Sequence, residues 1–285
     1  MQSGLPAPKL RPLRGSHLLL PLWRLPLARA VAWSHPQDGR PVFAYPWLGA
    51  LIVGTTDLDH PDLAQEPFIT APEQAYLLQA LNHAFPQAAV MARDIRSTWA
   101  GVRPVIDSGR GADPSQESRE HLVLAQRGLV AIGGGKLTTF RRMARQALKA
   151  ASPWLPGLQP EHGVQILMPA GQGPLPALSA GAARRLRGRF GALAPQVAAL
   201  GATALAGDTL IGELRHSLQH EQVHHLDDLL LRRSRLGLLQ ARFGTALLPQ
   251  VQPLCQDLLG WDAARFAQEC QRYLDLMQRQ HGVLA

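Results

Sequence analysis

The stretch Gly133-Gly134-Gly135-Lys136-Leu137-Thr138-Thr139-Phe140-Arg141 decides how this chain is read. A short apolar run, Gly128-Leu129-Val130-Ala131-Ile132, precedes it, and a helix-like stretch through Lys149 follows. Strand, glycine turn and helix start together aim backbone N–H groups and the positive end of a helix dipole at an anion or an electron-rich ring. The turn is not a Walker A loop. Leu137 follows Lys136 where Ser or Thr is required, and Val130 stands where the first glycine belongs. It is not the dinucleotide fingerprint either, because Thr138 occupies the last glycine position of G-x-G-x-x-G. The plain alternative is a turn that uses glycine only to pack tightly.

About thirty residues earlier stands Trp99-Ala100-Gly101-Val102-Arg103-Pro104, and between the two lies Ser118-Arg119-Glu120-His121. A phosphate dianion needs two or three fixed cations, and the arginine fork grips it bidentately. Arg103, Arg119 and Lys136 beside a glycine turn therefore suggest a site for a small phosphorylated substrate. The competing use of each arginine is a structural ion pair.

The 285 residues suit one large domain or two ordinary ones, and 46% hydrophobic content is enough for a proper core. The formal charge is +8, nearly all from arginine, since Lys9, Lys136 and Lys149 are the only lysines. The arginines are scattered, without a long basic run or interleaved aromatics, so no nucleic-acid partner is expected. A surface of anionic lipid headgroups fits the charge at least as well. Cys255 and Cys270 form no C-x-x-C, so neither a zinc site nor a disulfide framework is implied, and both are expected to be buried thiols. The most apolar N-terminal stretch, Leu18 to Trp33, is broken by Pro21, Arg24, Pro26 and Arg29. That falls far short of the ~20 clean residues a membrane span needs, and it lacks the form of a signal peptide.

The first half reads as mixed α and β. His17–Leu20, Ala28–Trp33, Pro41–Tyr45 and Ala50–Thr55 are short apolar or alternating runs punctuated by Pro, Gly and Asp, the pattern of consecutive antiparallel strands. Thr70-Ala71-Pro72-Glu73 has capping-box spacing, and a helix is expected to begin there. Arg93 to Val105 is expected to be a strand, and His121–Leu124 with Leu129–Ile132 a hairpin. A stretch rich in Pro and Gly at 152–176 marks the boundary between residues 1–151 and 177–285. Beyond it strand signals almost vanish. Leu178–Phe190, Leu210–His220, Leu226–Leu239, Thr245–Leu259 and Asp262–Gln280 carry helical periodicity, the last with Asp262 as N-cap.

Taken together, these segments resemble the FAD-dependent, respiratory glycerol-3-phosphate dehydrogenases. Gly15-Ser16-His17-Leu18-Leu19, Pro46-Trp47 and Val53-Gly54-Thr55-Thr56-Asp57 look like that family's segments. Gly101-Val102-Arg103-Pro104, Ser118-Arg119-Glu120-His121 and Gly134-Gly135-Lys136-Leu137-Thr138-Thr139-Phe140-Arg141 follow in family order. Leu226-Asp227-Asp228-Leu229 through Leu236 and Gly260-Trp261-Asp262 resemble its helical signature, so the likeness runs from about Leu10 to Tyr273. The resemblance implies an α+β fold. An antiparallel-sheet substrate and flavin domain of the D-amino-acid-oxidase-like type (1–151) is followed by an all-α domain (177–285). The family's G-x-G-x-x-G unit, which grips the ADP half of FAD, does not occur in these 285 residues. The chain is accordingly expected to be the C-terminal portion of such an enzyme, with the N-terminal FAD-binding half as a missing partner.

The implied reaction oxidises glycerol 3-phosphate to dihydroxyacetone phosphate on FAD, with electrons passed to quinone. The protein would sit in the cytoplasm, peripherally attached to the inner face of the cytoplasmic membrane. By resemblance Arg103 and Arg119 bind the substrate, and Lys136 lies at the flavin edge close to it. Gly134, Gly135, Lys136, Leu137, Thr138 and Thr139 are the cofactor-contacting segment. His17 and His121 are candidates for the base, because imidazole titrates near neutrality; a base upstream of Met1 is the other possibility. Asp57 is expected to cap a turn, and Arg232, Arg233 and Arg235 to form a salt-bridged, solvated helix face. Two other readings stand beside this one: a non-enzymatic subunit with an anion site, and a related flavin oxidase acting on an amine or amino acid.

Overall fold

The structure, a computed structural model, describes residues 9–107, 109, 114, 120–157, 174–175 and 178–284. Ser118 and Arg119 lie outside the described residues, as does most of the stretch 152–176. Strands run at Leu10–Pro21 (β1), Val31–Ser34 (β2), Pro41–Trp47 (β3), Ala50–Gly54 (β4) and Leu58–Asp59 (β5). Helix α1 (Ala71–Ala84) follows, then Ser97–Ile106 (β6), His121–Gln126 (β7), Leu129–Gly134 (β8) and helix α2 (Phe140–Ala151). Helices α3 (Ala180–Phe190) and α4 (Ala194–Ala199) lead to strands β9 (Ala204–Ala206) and β10 (Thr209–Leu210). Helices α5 (Ile211–His220), α6 (Leu236–Leu239), α7 (Leu248–Leu259) and α8 (Ala263–His281) complete the chain. The fold class is α+β, an antiparallel sheet followed by helices.

Contacts group these elements into two compact units that interleave along the chain. The first comprises Met1–Ser16, Thr55–Pro67 and Ala100–Gln165, the second His17–Gly54, Phe68–Trp99 and Ile166–Ala285. The linear division at 152–176 would separate the sheet strands β2 to β4 from the C-terminal helices, whereas both belong to the second unit.

In the second unit β2, β3, β4 and β1 form an antiparallel path, with His17 opposite Gly54 and Phe43 opposite Gly54 in the ladder. Side chains alternate across it, as a period of two requires. Leu18, Leu20, Val42, Ala44, Leu51 and Val53 pack with Leu77, Ala80 and Leu81 of α1. Leu19 and Ile52, one residue out of phase, join the core of the C-terminal helices with Leu214, Leu229, Val251 and Tyr273. Truncating Leu19 to Ala would cost about 2–5 kcal/mol, the usual range for emptying a filled site. Helix α1 begins as expected: the Thr70 N–H donates to Glu73 Oε2 at 3.0 Å, and the Thr70 hydroxyl donates to the same oxygen at 2.7 Å.

The C-terminal end is tied back to the sheet by polar bonds. Ser97 Oγ donates to Leu238 O (2.8 Å), Thr98 Oγ1 to Gly282 O (3.0 Å) and His281 Nδ1 to Thr98 O (2.8 Å). Gln74 brackets Leu284 through both its amide atoms. Burial pushes the Cys255 thiol up to about 12, so it behaves as packing rather than as a nucleophile.

The structure departs from the sequence pattern at several places. The strand expected from Arg93 starts only at Ser97, because Ala92–Asp94 forms a 3₁₀ turn closed by Asp94 on the Met91 N–H. Residues 226–239 are not one helix. Asp228–Arg233 is a π-helix and Arg235 is left-handed (φ 62°), so α6 starts afresh. Buried Asp227, just ahead of the π turn, accepts hydrogen bonds from both Arg232 and Arg272. Of the expected solvated arginine face, Arg232 also bridges Asp228, Arg233 donates to Glu221 O, and Arg235 lies over the Trp47 ring at 5.8 Å. A short hairpin, β9–β10, occurs in the region where the sequence carries almost no strand signal.

Candidate functional site

In the first unit the segments Gly15-Ser16, Thr55-Thr56-Asp57 and Arg103 come together. The Ser16 N–H donates to Thr56 Oγ1 at 2.9 Å. Arg103 Nη1 donates to Asp57 Oδ1 at 3.0 Å, and Nη2 to Thr55 Oγ1 at 2.9 Å. A Cβ on Gly15 would fall 2.1 Å from Nη2, so glycine is required for the guanidinium to lie against β1. Asp57, expected to cap a turn, is the buried partner of Arg103, whose side chain keeps 29% of its exposure. A fork fixed by a carboxylate and a hydroxyl is preorganised to hold an anion in one geometry.

Also in the first unit, β7 and β8 form a two-stranded ribbon with α2 against it. The glycine turn joins β8 to α2. Gly134 and Gly135 have φ of 68° and 88°, and a Cβ on Gly134 would meet Glu120 O at 2.6 Å. Positive φ and close approach both select glycine. Two expectations change. Leu137–Thr139 is a 3₁₀ turn, so the α-helix opens at Phe140 rather than at the glycines. The anion cradle expected of the amides is occupied internally: the Gly135 N–H donates to Glu120 O (3.2 Å) and the Lys136 N–H to Thr139 Oγ1 (3.3 Å). Side chains supply the electrostatics instead. A cavity of about 440 Å³ is lined by Glu120, His121, Lys136, Thr139, Arg142 and Gln146, two cations against one carboxylate. His121 Nε2 bonds Gln146 Oε1, which ties its ring to α2. Leu137 is 89% exposed, and Lys136 and Thr138 are exposed beside it.

The second unit holds His17. Its ring stacks on Trp99 with centroids 4.4 Å apart and planes at 22°. Its Cδ2 lies 2.2 Å from where a Cβ on Gly54 would stand, so the ring occupies that place over β4.

This α+β chain, with a glycine turn feeding a helix and an oriented arginine on the sheet, belongs to the FAD dependent oxidoreductase family, whose pattern matches residues 1–145. The pattern of the C-terminal domain of alpha-glycerophosphate oxidase matches residues 129–266. The chain is 32% identical over 259 residues to the aerobic glycerol-3-phosphate dehydrogenases of Staphylococcus aureus strains USA300 and COL. Each alignment covers 79% of this chain and 45% of the relative, so the chain spans about half the length of the curated relatives it matches. Its fold matches the solved structure of the glycerol-3-phosphate dehydrogenase from Bacillus halodurans complexed with FAD, with TM-score 0.70 and 23% identity over 95% of this chain and 57% of that one.

Proposed function

We propose that this chain supplies the substrate-binding and flavin-facing residues of an FAD-dependent glycerol-3-phosphate dehydrogenase. The observation that carries the reading is Arg103 fixed by Asp57 and Thr55 against a glycine, in the chain order of that family. Arg103, with Arg119, takes the substrate phosphate. His17 takes the proton of the C2 hydroxyl; His121 is less suited, its ring nitrogen being engaged by Gln146. The residues at the head of α2 fit the isoalloxazine end of FAD. Exposed Lys136 and Thr138, with Thr139 behind them, present a cation and hydroxyls of the kind that suit the polar edge of a flavin. When bound, FAD supplies the two-electron acceptor for the C2 hydride, and dihydroxyacetone phosphate is the product.

The ADP-gripping fingerprint is not among these residues, so activity calls for a polypeptide that carries it. The β7–β8–α2 layer fits as its docking face. A two-stranded ribbon is marginal by itself, no side chain of α2 is fully buried, and Leu129, Ile132, Phe140 and Leu148 are exposed there. Quinone as final acceptor and peripheral contact with the inner face of the cytoplasmic membrane belong to the same proposal. The +8 charge suits anionic headgroups, and among the described residues no helix is long and apolar enough to cross a membrane.

The test joins the chain to an FAD-binding half of the family and measures dye reduction dependent on glycerol 3-phosphate. Turnover is the expected result. A folded, flavin-loaded fusion without turnover would contradict the reading.

A further inference from the structure

Three strands place their residues in one row of the second unit. His17 faces Gly54, and Gly54 faces Phe43 on its other side. Neighbouring strands lie about 4.8 Å apart, so the His17 and Phe43 backbones are separated by about 10 Å with only glycine between. The His17 ring fills that gap. Its Cγ–Cδ2–Nε2 edge lies 2.2–2.9 Å from the Cβ position that Gly54 leaves empty. Trp99 stacks on the ring face. Trp99 is partly buried among Leu19, Ile52 and the helical core, so its indole is itself held in place. Beyond the glycine, Phe43 is 44% exposed.

A histidine on an open strand would sample several rotamers, and each lost rotamer has an entropic cost. Here the backbone gap and the indole select one. We propose that Trp99 and Gly54 are positioning residues for His17, fixing the imidazole in the single orientation from which it accepts the substrate proton. The proposal rests on the reading of His17 as the base. It explains why glycine opens the Gly-Thr-Thr-Asp segment: φ at Gly54 is not positive, so the requirement is space rather than backbone freedom. It also gives Trp99 a part that burial alone would not, because a leucine would fill the core without offering a face to stack on.

Two measurements test it. The first uses the chain as it stands, with its histidines isotope-labelled and the His17 ring resonances assigned through His17→Asn. Stacking at this distance shifts ring protons upfield. Trp99→Leu and Gly54→Ala are expected to abolish that shift, and Trp99→Phe to keep most of it. His17 ring resonances unchanged in Trp99→Leu would overturn the proposal. The second uses the flavin-loaded fusion. Trp99→Leu should lower kcat on the order of tenfold to a hundredfold with KM nearly unchanged, and Trp99→Phe should restore most of it. In the His17→Asn background the same change should cost almost nothing, because the group it positions is gone. An equal loss in both backgrounds would make Trp99 merely structural and overturn the proposal. A parent fusion that never turns over counts against the enzymatic reading, while the resonance measurement still decides whether Trp99 and Gly54 hold the ring.

Discussion

Arg103 Nη1 lies 3.0 Å from Asp57 Oδ1, and this ion pair joins two sequence segments 46 residues apart. The carboxylate is nearly buried and the arginine is not, so the aspartate acts as the fixed base on which the guanidinium is aimed. On the proposed reading, removing the arginine strips a phosphate contact. Arg103→Ala in the active fusion should raise KM by ~2–4 kcal/mol of lost binding. Asp57→Asn should raise it less, by ~1–2 kcal/mol, because the fork stays present but loses its orienting charge. Steady-state kinetics against glycerol 3-phosphate, with inorganic phosphate as competitor, checks both. An unchanged KM in Arg103→Ala would remove Arg103 from the phosphate site. Weak competition by phosphate would favour the amine or amino-acid oxidase reading.

Gly15→Ala should mimic Arg103→Ala without deleting any polar group. Its methyl would stand 2.1 Å from Nη2, and the far end of a flexible side chain is what must give way. Raised KM with an unchanged melting temperature is the expected pair of results. A lowered melting temperature with normal KM would mean that β1 moved instead.

The buried ion network behind the π-helix has a defined pH signature. Burial raises the Asp227 carboxyl, but hydrogen bonds from Arg232 and Arg272 outweigh it and hold the group below its ordinary value. A depressed carboxylate contributes stability that is present above the unfolded value, about 3.9, and is lost as pH falls through the folded one. Asp227→Asn should therefore cost ~1–3 kcal/mol near neutrality, since both arginines are almost half exposed and can return to water. The gap between variant and parent should begin to narrow below about pH 4 in urea unfolding. A gap that does not narrow at all as pH falls below about 4 would show that packing, not charge, is what the aspartate supplies.

His281 gives a pH dependence of the same sign from a different cause. Burial depresses its pKa, with the Thr98 carbonyl opposing and Arg232 adding to the shift. A buried neutral imidazole resists protonation, so the stability it holds is present above the unfolded value, about 6.5, and is lost as pH falls below it. The tail through Leu284 should loosen first, because His281 and Gln74 anchor it. Protection of the amides of residues 282–284, taken relative to their intrinsic exchange rates, should fall as pH drops below about 6.5, and His281→Gln should remove that dependence.

The exposed ribbon makes a further prediction. Ile132→Lys places a charge on the face offered to an FAD-binding half. When the two halves are supplied as separate polypeptides, complementation should fail while the far-UV spectrum of the chain stays unchanged. Full complementation would move the docking face elsewhere.

Much of this was legible in the sequence. Strand alternation at His17–Leu20 and Pro41–Tyr45, the Thr70–Glu73 cap and the Asp262 cap are local signals, and local signals survive into the fold. The family was legible because several distinctive short segments occur together along one chain. Ladder register escaped the reading. Nothing in Gly15, Gly54 or Trp99 announces that Arg103 lies against the first, and His17 against the other two, because those contacts depend on which residues face each other across strands. The role of Asp57 was hidden for the same reason. The internal use of the Gly135 and Lys136 amides was missed because a 3₁₀ turn, rather than an α-helix, follows the glycines. Arg119 lies outside the described residues, so its part in phosphate binding stands on the resemblance alone.

On the proposed reading this chain supplies residues for the oxidation of glycerol 3-phosphate on a flavin. The most direct measurement is anaerobic bleaching of the flavin band in the flavin-loaded fusion on adding glycerol 3-phosphate, followed in a stopped-flow instrument alongside Arg103→Ala. Rapid, saturable bleaching in the parent, with a much weaker concentration dependence in the variant, is the expected result. A flavin that stays oxidised in the parent, or one that bleaches identically in both proteins, would contradict the claim.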